Sequence, residues 1–551
     1  MLAFCGLPLF FFELNFGQFA SLGPLAIWTV SPIFKGIGIG MVAVSAFVGL
    51  YYNILVAYIL YFFFASMSPE LPWKECTNHW NTENCITLTQ MGNKTWLSDY
   101  LNGHCSIAIS FRSREVLQLS SGIDELGPIV WQLALCLLIA WVTVFLVLLK
   151  GIASLGKVVY FTSTFPYVMM TILVINNCLL DGATDGLVYY LKPDFNKLTN
   201  AEVWSDAAVQ IFYSLSTCSG GLIAMASYNK FNHNTLRDSL MVPIINCLTS
   251  VYAGLAIFAV LGYMAKQKGV PIEDVAESGP GLVFVVYPEG LTNMPVSTLW
   301  ALLFFFMMLV LGFSSEFSIV ECIFTAIMDE FPHVFRSSPI RPIMLRFCGC
   351  IFFFIISLPM VTQGGFYLFS LCDSYAGGFP RLFTGIFELV AVCWVYGITR
   401  FSEDVALMIG HRPHWYFKLC WCILTPGIVV GIVAFKAVAH ESFSLFNGSY
   451  VFPDWANLMG WGMVFAVVIW IPVWAIIHWC RHGGAEAMKK SAAPLSTWGP
   501  AMSANKTGHY AKAAEMDIAS IEQSEFPDTI ILNGIENKGF ENTVYIENIK
   551  L

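Results

Sequence analysis

About eleven times along the chain the sequence settles into an apolar run long enough to cross a hydrocarbon core, near residues 1 to 20, 38 to 66, 128 to 149, 157 to 180, 205 to 227, 240 to 265, 297 to 325, 344 to 361, 380 to 397, 415 to 437 and 458 to 479. A helix needs about 20 such residues to span the bilayer interior. Peptide groups cannot go unpaired in lipid, so each run must close its own hydrogen bonds as a helix or join a closed barrel. None of the runs has the dyad alternation of barrel strands. The sequence therefore predicts an all-α polytopic membrane protein. Composition agrees, with 57% hydrophobic and 12% charged residues where a soluble domain carries about 25% charged. The net charge of -9, much of it in the final polar stretch, argues against a nucleic-acid partner.

Residues 1–480 are expected to form the membrane domain, with a large polar loop at 67–127, and 481–551 a cytoplasmic tail. Lys230 and Arg237, then Arg336, Arg341 and Arg346, then Arg400, Arg412 and Lys418, then Arg481, Lys489 and Lys490 fall in breaks two spans apart, which the positive-inside rule assigns to the cytoplasm. The sequons at Asn93 and Asn447 fall on the opposite face, where glycosylation occurs. Counting back from Lys35, the first span starts outside. The implied location is the plasma membrane, multi-pass, with the C-terminus inside. Most of the 16 cysteines sit in apolar runs, where a thiol acts as a small hydrophobe. Cys76 and Cys85 instead lie in the polar stretch CTNHWNTENC, which reads as an oxidising extracellular loop, two unpaired loop thiols being the alternative. The last residues, Ile549-Lys550-Leu551, suit strand addition to a PDZ-type groove, an ending that chance also produces. A homo-oligomer is a further expected assembly.

Polar residues inside a span are costly and point to function. In QIFYSLSTCSGGLIAMASY, from Gln210 to Tyr228, Ser214, Ser216, Thr217, Ser219 and Gly220-Gly221 interrupt an apolar helix at its middle. Such a stretch can unwind and offer carbonyls to cations and amides to an anionic group; the competing reading is an intact helix whose small residues allow close packing. Asn246 and Ser250 follow in the next span, and Ser314, Ser315 and Glu316 cluster in LGFSSEF. Oxygen ligands suit a hard cation, although a lone serine more often bonds a carbonyl of its own helix. Glu13, Glu321 and Glu388 are further buried-carboxylate candidates.

The motifs GLPLFFFELNFGQFASLGP, GLYYN, CTNHWNTENC, GKVVYFTSTFPYV, QIFYSLS, ASYNKFNHN, NCLTS, TAIMDEFP, VTQGG and YGITRF, in this order, resemble those of the neurotransmitter:sodium symporters, and within them the branch that carries glycine, proline and neutral or cationic amino acids. The resemblance covers about residues 1 to 480. It implies an inverted-repeat, leucine-transporter-like helical bundle and symport of a small amino acid or related amine with Na+ and Cl-, without another cofactor. By resemblance, Ser214 and Asn246 match ligands of a first sodium, and Leu311 through its carbonyl, Ser314 and Ser315 those of a second. Gln210, Ser214, Asn246 and Ser250 match a chloride pocket. Tyr52 matches a hydroxyl that binds the substrate carboxylate, Tyr213 an aromatic lid, and Val48, Ser216, Thr217, Ser219 and Ser315 line the substrate pocket. Glu388 and Asp329 match acidic halves of the outer and inner gates, and Cys76 and Cys85 match an extracellular disulfide.

Two departures stand out. The family opens with an unwound helix bearing Asn-x-Trp-Arg-Phe-Pro, and this sequence starts after it. That helix supplies sodium ligands and an arginine partner for Glu388, so sodium binding is expected to be poor, and a buried carboxylate without its partner costs several kcal/mol unless it protonates. Ser314 also stands where chloride-dependent members commonly carry aspartate, and Glu316 sits two residues on. Glu316 then offers a negative charge to an amine-bearing or cationic side chain, or bonds nearby amides or stays protonated. The rival to transport is a non-transporting membrane subunit that associates with full-length carriers or a scaffold. No metal-ligand spacing or nucleophile–base constellation supports an enzyme.

Overall fold

The computed structural model describes residues 1–81, 85–86, 105–149, 151–275, 281–292, 296–438, 443–445, 450–482 and 491–511. The apolar runs form helices, as intramembrane backbone pairing requires. In chain order these are α1 (Leu7–Ala20), α2 (Lys35–Ala65), α3 (Trp131–Leu148), α4 (Ile152–Cys178), α5 (Ala183–Leu191), α6 (Ala201–Ser214), α7 (Gly221–Ala226), α8 (Thr235–Lys268), α9 (Ser297–Glu330), α10 (Ile340–Ser357), α11 (Gly365–Ala376), α12 (Phe379–Leu389), α13 (Ile398–Ile409), α14 (Thr425–Val438), α15 (Asp454–Val468) and α16 (Trp470–His482). Among the described residues nine helical segments are long and apolar enough to cross a membrane, and α15 with α16 makes a tenth, bent by 42°. The remaining expected span, 205–227, is split into α6 and α7. Neither piece is long enough to span by itself, and the unwound residues between them explain the difference from the expected eleven.

One apolar cluster joins α2, α3, α9 and α10 through residues such as Val44, Phe62, Leu137, Phe305 and Phe353. A second gathers Phe11, Phe12 and Phe16 of α1 with Trp28, Phe401 and Trp421. Small residues let backbones approach where side chains would hold them apart. A Cβ at Gly17 would lie 2.4 Å from the Ile223 carbonyl oxygen, so α1 rests directly on α7. Apolar side chains stay exposed on the outward faces, among them Leu135 and Leu146 of α3 and Phe352 and Ile355 of α10, as expected where the solvent is lipid.

Cys76 and Cys85 are joined as a disulfide, and Cys85–Ile86 pairs in parallel with Cys105–Ser106. The sequons at Asn93 and Asn447 and the C-terminal Ile549-Lys550-Leu551 lie outside the described residues.

Two polar assemblies stand out among the helices. Arg346 of α10 donates to both carboxylate oxygens of Glu321 of α9, at 2.8 and 3.4 Å, with both side chains buried. The second assembly involves the tail, expected as a separate soluble segment. Its residues 491–511 instead lie against the helical bundle. The Leu495 amide donates to the Thr29 carbonyl at 2.9 Å, and the Ser31 hydroxyl donates to the Ala492 carbonyl at 3.1 Å. The buried Trp498 ring packs against Phe16, Phe19 and Tyr396, and its indole N–H donates to the Tyr396 hydroxyl at 3.1 Å. Tyr510 and Tyr396 each donate to Asp404 of α13, at 3.0 and 2.6 Å. Burial and the adjacent Asp404 charge push the Tyr510 phenol well above its ordinary value, so it remains a donor at physiological pH.

Candidate functional site

The break between α6 and α7 is the centre of the site. Ser216, Cys218 and Gly220 take positive φ values of 53°, 60° and 79°, a conformation that cannot continue a right-handed helix. Side chains from three other helices hold the freed peptide groups. The Cys218 N–H donates to Glu13 Oε1 of α1 at 2.5 Å. Thr384 of α12 donates to the Cys218 carbonyl at 2.8 Å, and Ser45 of α2 donates to the Ser219 carbonyl at 2.8 Å. Within the break, the Ser219 hydroxyl donates to the Ser216 carbonyl at 2.7 Å. Thr217 and Ser219 are buried and Ser216 is exposed. The unwinding read from this stretch is present, and the alternative of an uninterrupted helix is not.

The residues matched to ion ligands are brought together in part. The Asn246 amide of α8 donates to the Ser214 hydroxyl at the end of α6, at 2.6 Å. Ser250 donates to the Asn246 carbonyl of its own helix at 3.1 Å. Gln210 lies one turn before Ser214 on α6 and, like Ser250, is exposed. On α9 the Leu311 carbonyl accepts from Ser314 at 2.8 Å and from Ser315 at 3.4 Å, so hydroxyls and carbonyl share one turn. Tyr52 of α2 reaches the Ser315 side chain, which links the matched carboxylate-binding hydroxyl to the matched second sodium set.

Val48 is buried on α2, one turn before Tyr52. Glu316 is fully buried on α9, and neither of its carboxylate oxygens has a hydrogen-bond partner. Its Oε1 would lie 3.8 Å from a Cβ added at Gly49. The reading in which Glu316 bonds nearby amides is therefore not what the structure holds. Tyr213, at the end of α6, faces Arg381 of α12, whose guanidinium carbon lies 4.8 Å from the ring centroid.

The two residues matched to gates by resemblance differ in their surroundings. Asp329, at the C-terminal end of α9, accepts from the Gly23 amide at 2.8 Å and pairs with Arg336 at 2.5 Å. Glu388 is fully buried beside the break, and its ligand-type oxygen, that of Glu13 and the Cys218 sulfur all lie within 4.8 Å of one another. That position is beside the unwound segment. Asp373, on α11 just before the α11–α12 junction, is the exposed acidic group there.

Several residues that shape the site carried no role in the sequence reading. Glu13 stood out only as a buried carboxylate, and its role depends on the Cys218 amide that the break presents to it. Ser45 and Thr384 are ordinary hydroxyls in apolar helices, with no sequence signal that separates them from others. Arg381 is a charged residue within the expected span 380–397, and the rule that singled out Glu388 finds it equally.

The sodium:neurotransmitter symporter family model matches residues 1–482. The chain is 43% identical over 531 residues to the sodium- and chloride-dependent glycine transporter 1 of Xenopus laevis, covering 93% of this chain and 83% of that protein. It is 41% identical over 540 residues to glycine transporter 2 of the same organism, covering 93% of this chain and 68% of that protein. To the human sodium- and chloride-dependent neutral and basic amino acid transporter B(0+) it is 42% identical over 570 residues, covering 96% of this chain and 88% of that protein. With a broken midspan helix in an all-α bundle and a family match along its whole membrane region, the chain belongs to the sodium:neurotransmitter symporter family.

Proposed function

We propose that the protein moves a small amino acid or related amine across the plasma membrane together with Na+ and Cl-, by alternating access around the break between α6 and α7. The break is the observation that carries this reading. Peptide groups released from a helix at bilayer depth serve dissolved cargo that an intact apolar span cannot hold. The names of the relatives supply the substrate class and the two ions. In this reading Ser214 and Asn246 ligate one sodium, and the Leu311 carbonyl, Ser314 and Ser315 a second. Gln210, Ser214, Asn246 and Ser250 surround chloride, where neutral donors leave room for the anion's own charge. Tyr52 receives the substrate carboxylate, Tyr213 closes over it, and Val48, Ser216, Thr217, Ser219 and Glu316 border it. The C-terminus is cytoplasmic, and the sequence of its last residues suits a PDZ-type scaffold.

A non-transporting subunit is not favoured, because the relatives that match along most of the chain are named as transporters. Uptake of radiolabelled glycine, leucine and lysine into cells expressing the protein tests the proposal. Replacing sodium with choline or chloride with gluconate should each abolish most of the uptake, and uptake indifferent to both ions would refute the coupling.

A further inference from the structure

Two fully buried side chains, one on α2 and one on α9, have polar heads that nothing satisfies. Asn53 of α2 is 0% exposed, and neither its Nδ2 nor its Oδ1 has a hydrogen-bond partner. Glu316 of α9 is equally buried, with both carboxyl oxygens unbonded. A buried polar atom left in this way is costly, and native structures seldom keep one without a neighbour that can serve it.

The packing of the two helices sets these residues level. A Cβ at Gly49 would lie 3.4 Å from Ile319 Cγ2 and 3.8 Å from Glu316 Oε1, and a Cβ at Gly312 would lie 3.1 Å from Val56 Cγ2. The helices therefore run antiparallel, with Gly49 against the turn from Glu316 to Ile319 and Val56 against Gly312. Asn53 is four residues after Gly49 and three before Val56, so it shares their face of α2. Glu316 is four residues after Gly312 and three before Ile319, so it shares their face of α9. The two polar heads thus belong to opposed turns of one seam, and a side-chain rotation or one buried water joins them. Asparagine is suited to this task because its amide carries an acceptor and donors on the same head. A protonated carboxyl can donate to Oδ1, and an ionised one can accept from Nδ2.

We propose that Asn53 is the positioning residue for Glu316, bonded to it directly or through one water, and that this pair lets one site take neutral and basic amino acids. Beside a neutral side chain the protonated Glu316 donates to Asn53 Oδ1. When a cationic side chain supplies the opposite charge, the carboxyl proton passes to solvent and the carboxylate accepts from Asn53 Nδ2, a donor that stabilises the charged form. An apolar residue at position 53 can serve neither form. The proposal rests on the amino-acid reading above for the class of cargo, and deepens it by naming a residue that sets the choice between neutral and basic side chains.

The purified full-length chain in nanodiscs, titrated with leucine and lysine by thermal shift, tests the pair. N53L should weaken lysine binding at least about fivefold and leave leucine within about twofold, the loss expected for one hydrogen bond to a charged group. N53S, which keeps a donor and an acceptor, should retain part of the lysine affinity. In an E316Q background N53L should shift neither amino acid by more than about twofold, because the group that Asn53 serves is gone. In infrared spectra the carboxyl absorption that E316Q removes should move in N53S. Equal weakening of both amino acids in N53L would reduce Asn53 to packing and overturn the proposal. So would N53L and E316Q effects that multiply, a carboxyl band that N53S leaves in place, or a wild type that does not bind lysine. Sodium-dependent uptake with a lysine-to-leucine ratio unmoved by N53L would sink the pair and leave the transport reading standing. Lysine binding that depends on Asn53, without any sodium-dependent uptake by the wild type, would do the reverse.

Discussion

Glu316 shows how much one buried side chain can decide. It is fully buried with both oxygens unbonded, on the turn that also carries Ser314 and Ser315, and Tyr52 and Tyr213 lie within its electrostatic reach. Ionised, Glu316 would discriminate between side chains by attraction and by repulsion; protonated, it would not. Glu316→Gln should lower lysine uptake about tenfold, the equivalent of about 1.4 kcal/mol, and change leucine uptake by less than about twofold. Equal changes for both amino acids would remove the charge from the specificity argument. Ser314 is the complementary case, since its neutral hydroxyl is already bonded to the Leu311 carbonyl at 2.8 Å, so a cation there must compete with an internal hydrogen bond.

At the scale of elements, the split of one expected span into α6 and α7 is the decisive feature. Gly220 adopts φ +79°, and a Cβ at that position would stand 2.7 Å from Pro24 Cβ and 3.3 Å from Met41 Cβ. Any larger residue meets both the left-handed penalty of about 1–2 kcal/mol and a steric clash. Gly220→Val should therefore lower the melting temperature of the purified protein and abolish sodium-dependent uptake, whereas an unchanged melting curve would mean that the left-handed turn does not matter to the fold. The run of small and hydroxyl residues from Ser214 to Gly221 made the break legible in sequence. Its fastening to Glu13, Ser45 and Thr384 was not, because those partners lie on three different helices and become neighbours only after packing.

At the scale of the whole molecule, residues 491–511 tie the C-terminal tail to α1 and α13. Trp498 is 5% exposed, and removing a large buried ring typically costs about 3–5 kcal/mol. Trp498→Ala should free this strap, so that protease applied to inside-out vesicles cleaves the tail at lower concentration than in the wild type; unchanged cleavage would show that other contacts hold it. The linear chain determined that the protein spans a membrane as helices, which of its spans is interrupted, and which family it joins, because apolar length, helix-breaking composition and ordered motifs are local properties. Tertiary packing alone decided that Glu388 faces Glu13 and Cys218 beside the break, that Arg381 is buried without an anion, and that the tail returns to the bundle. Each of these depends on how distant helices pair their charges and backbone groups where water cannot, and no local window of sequence contains that information.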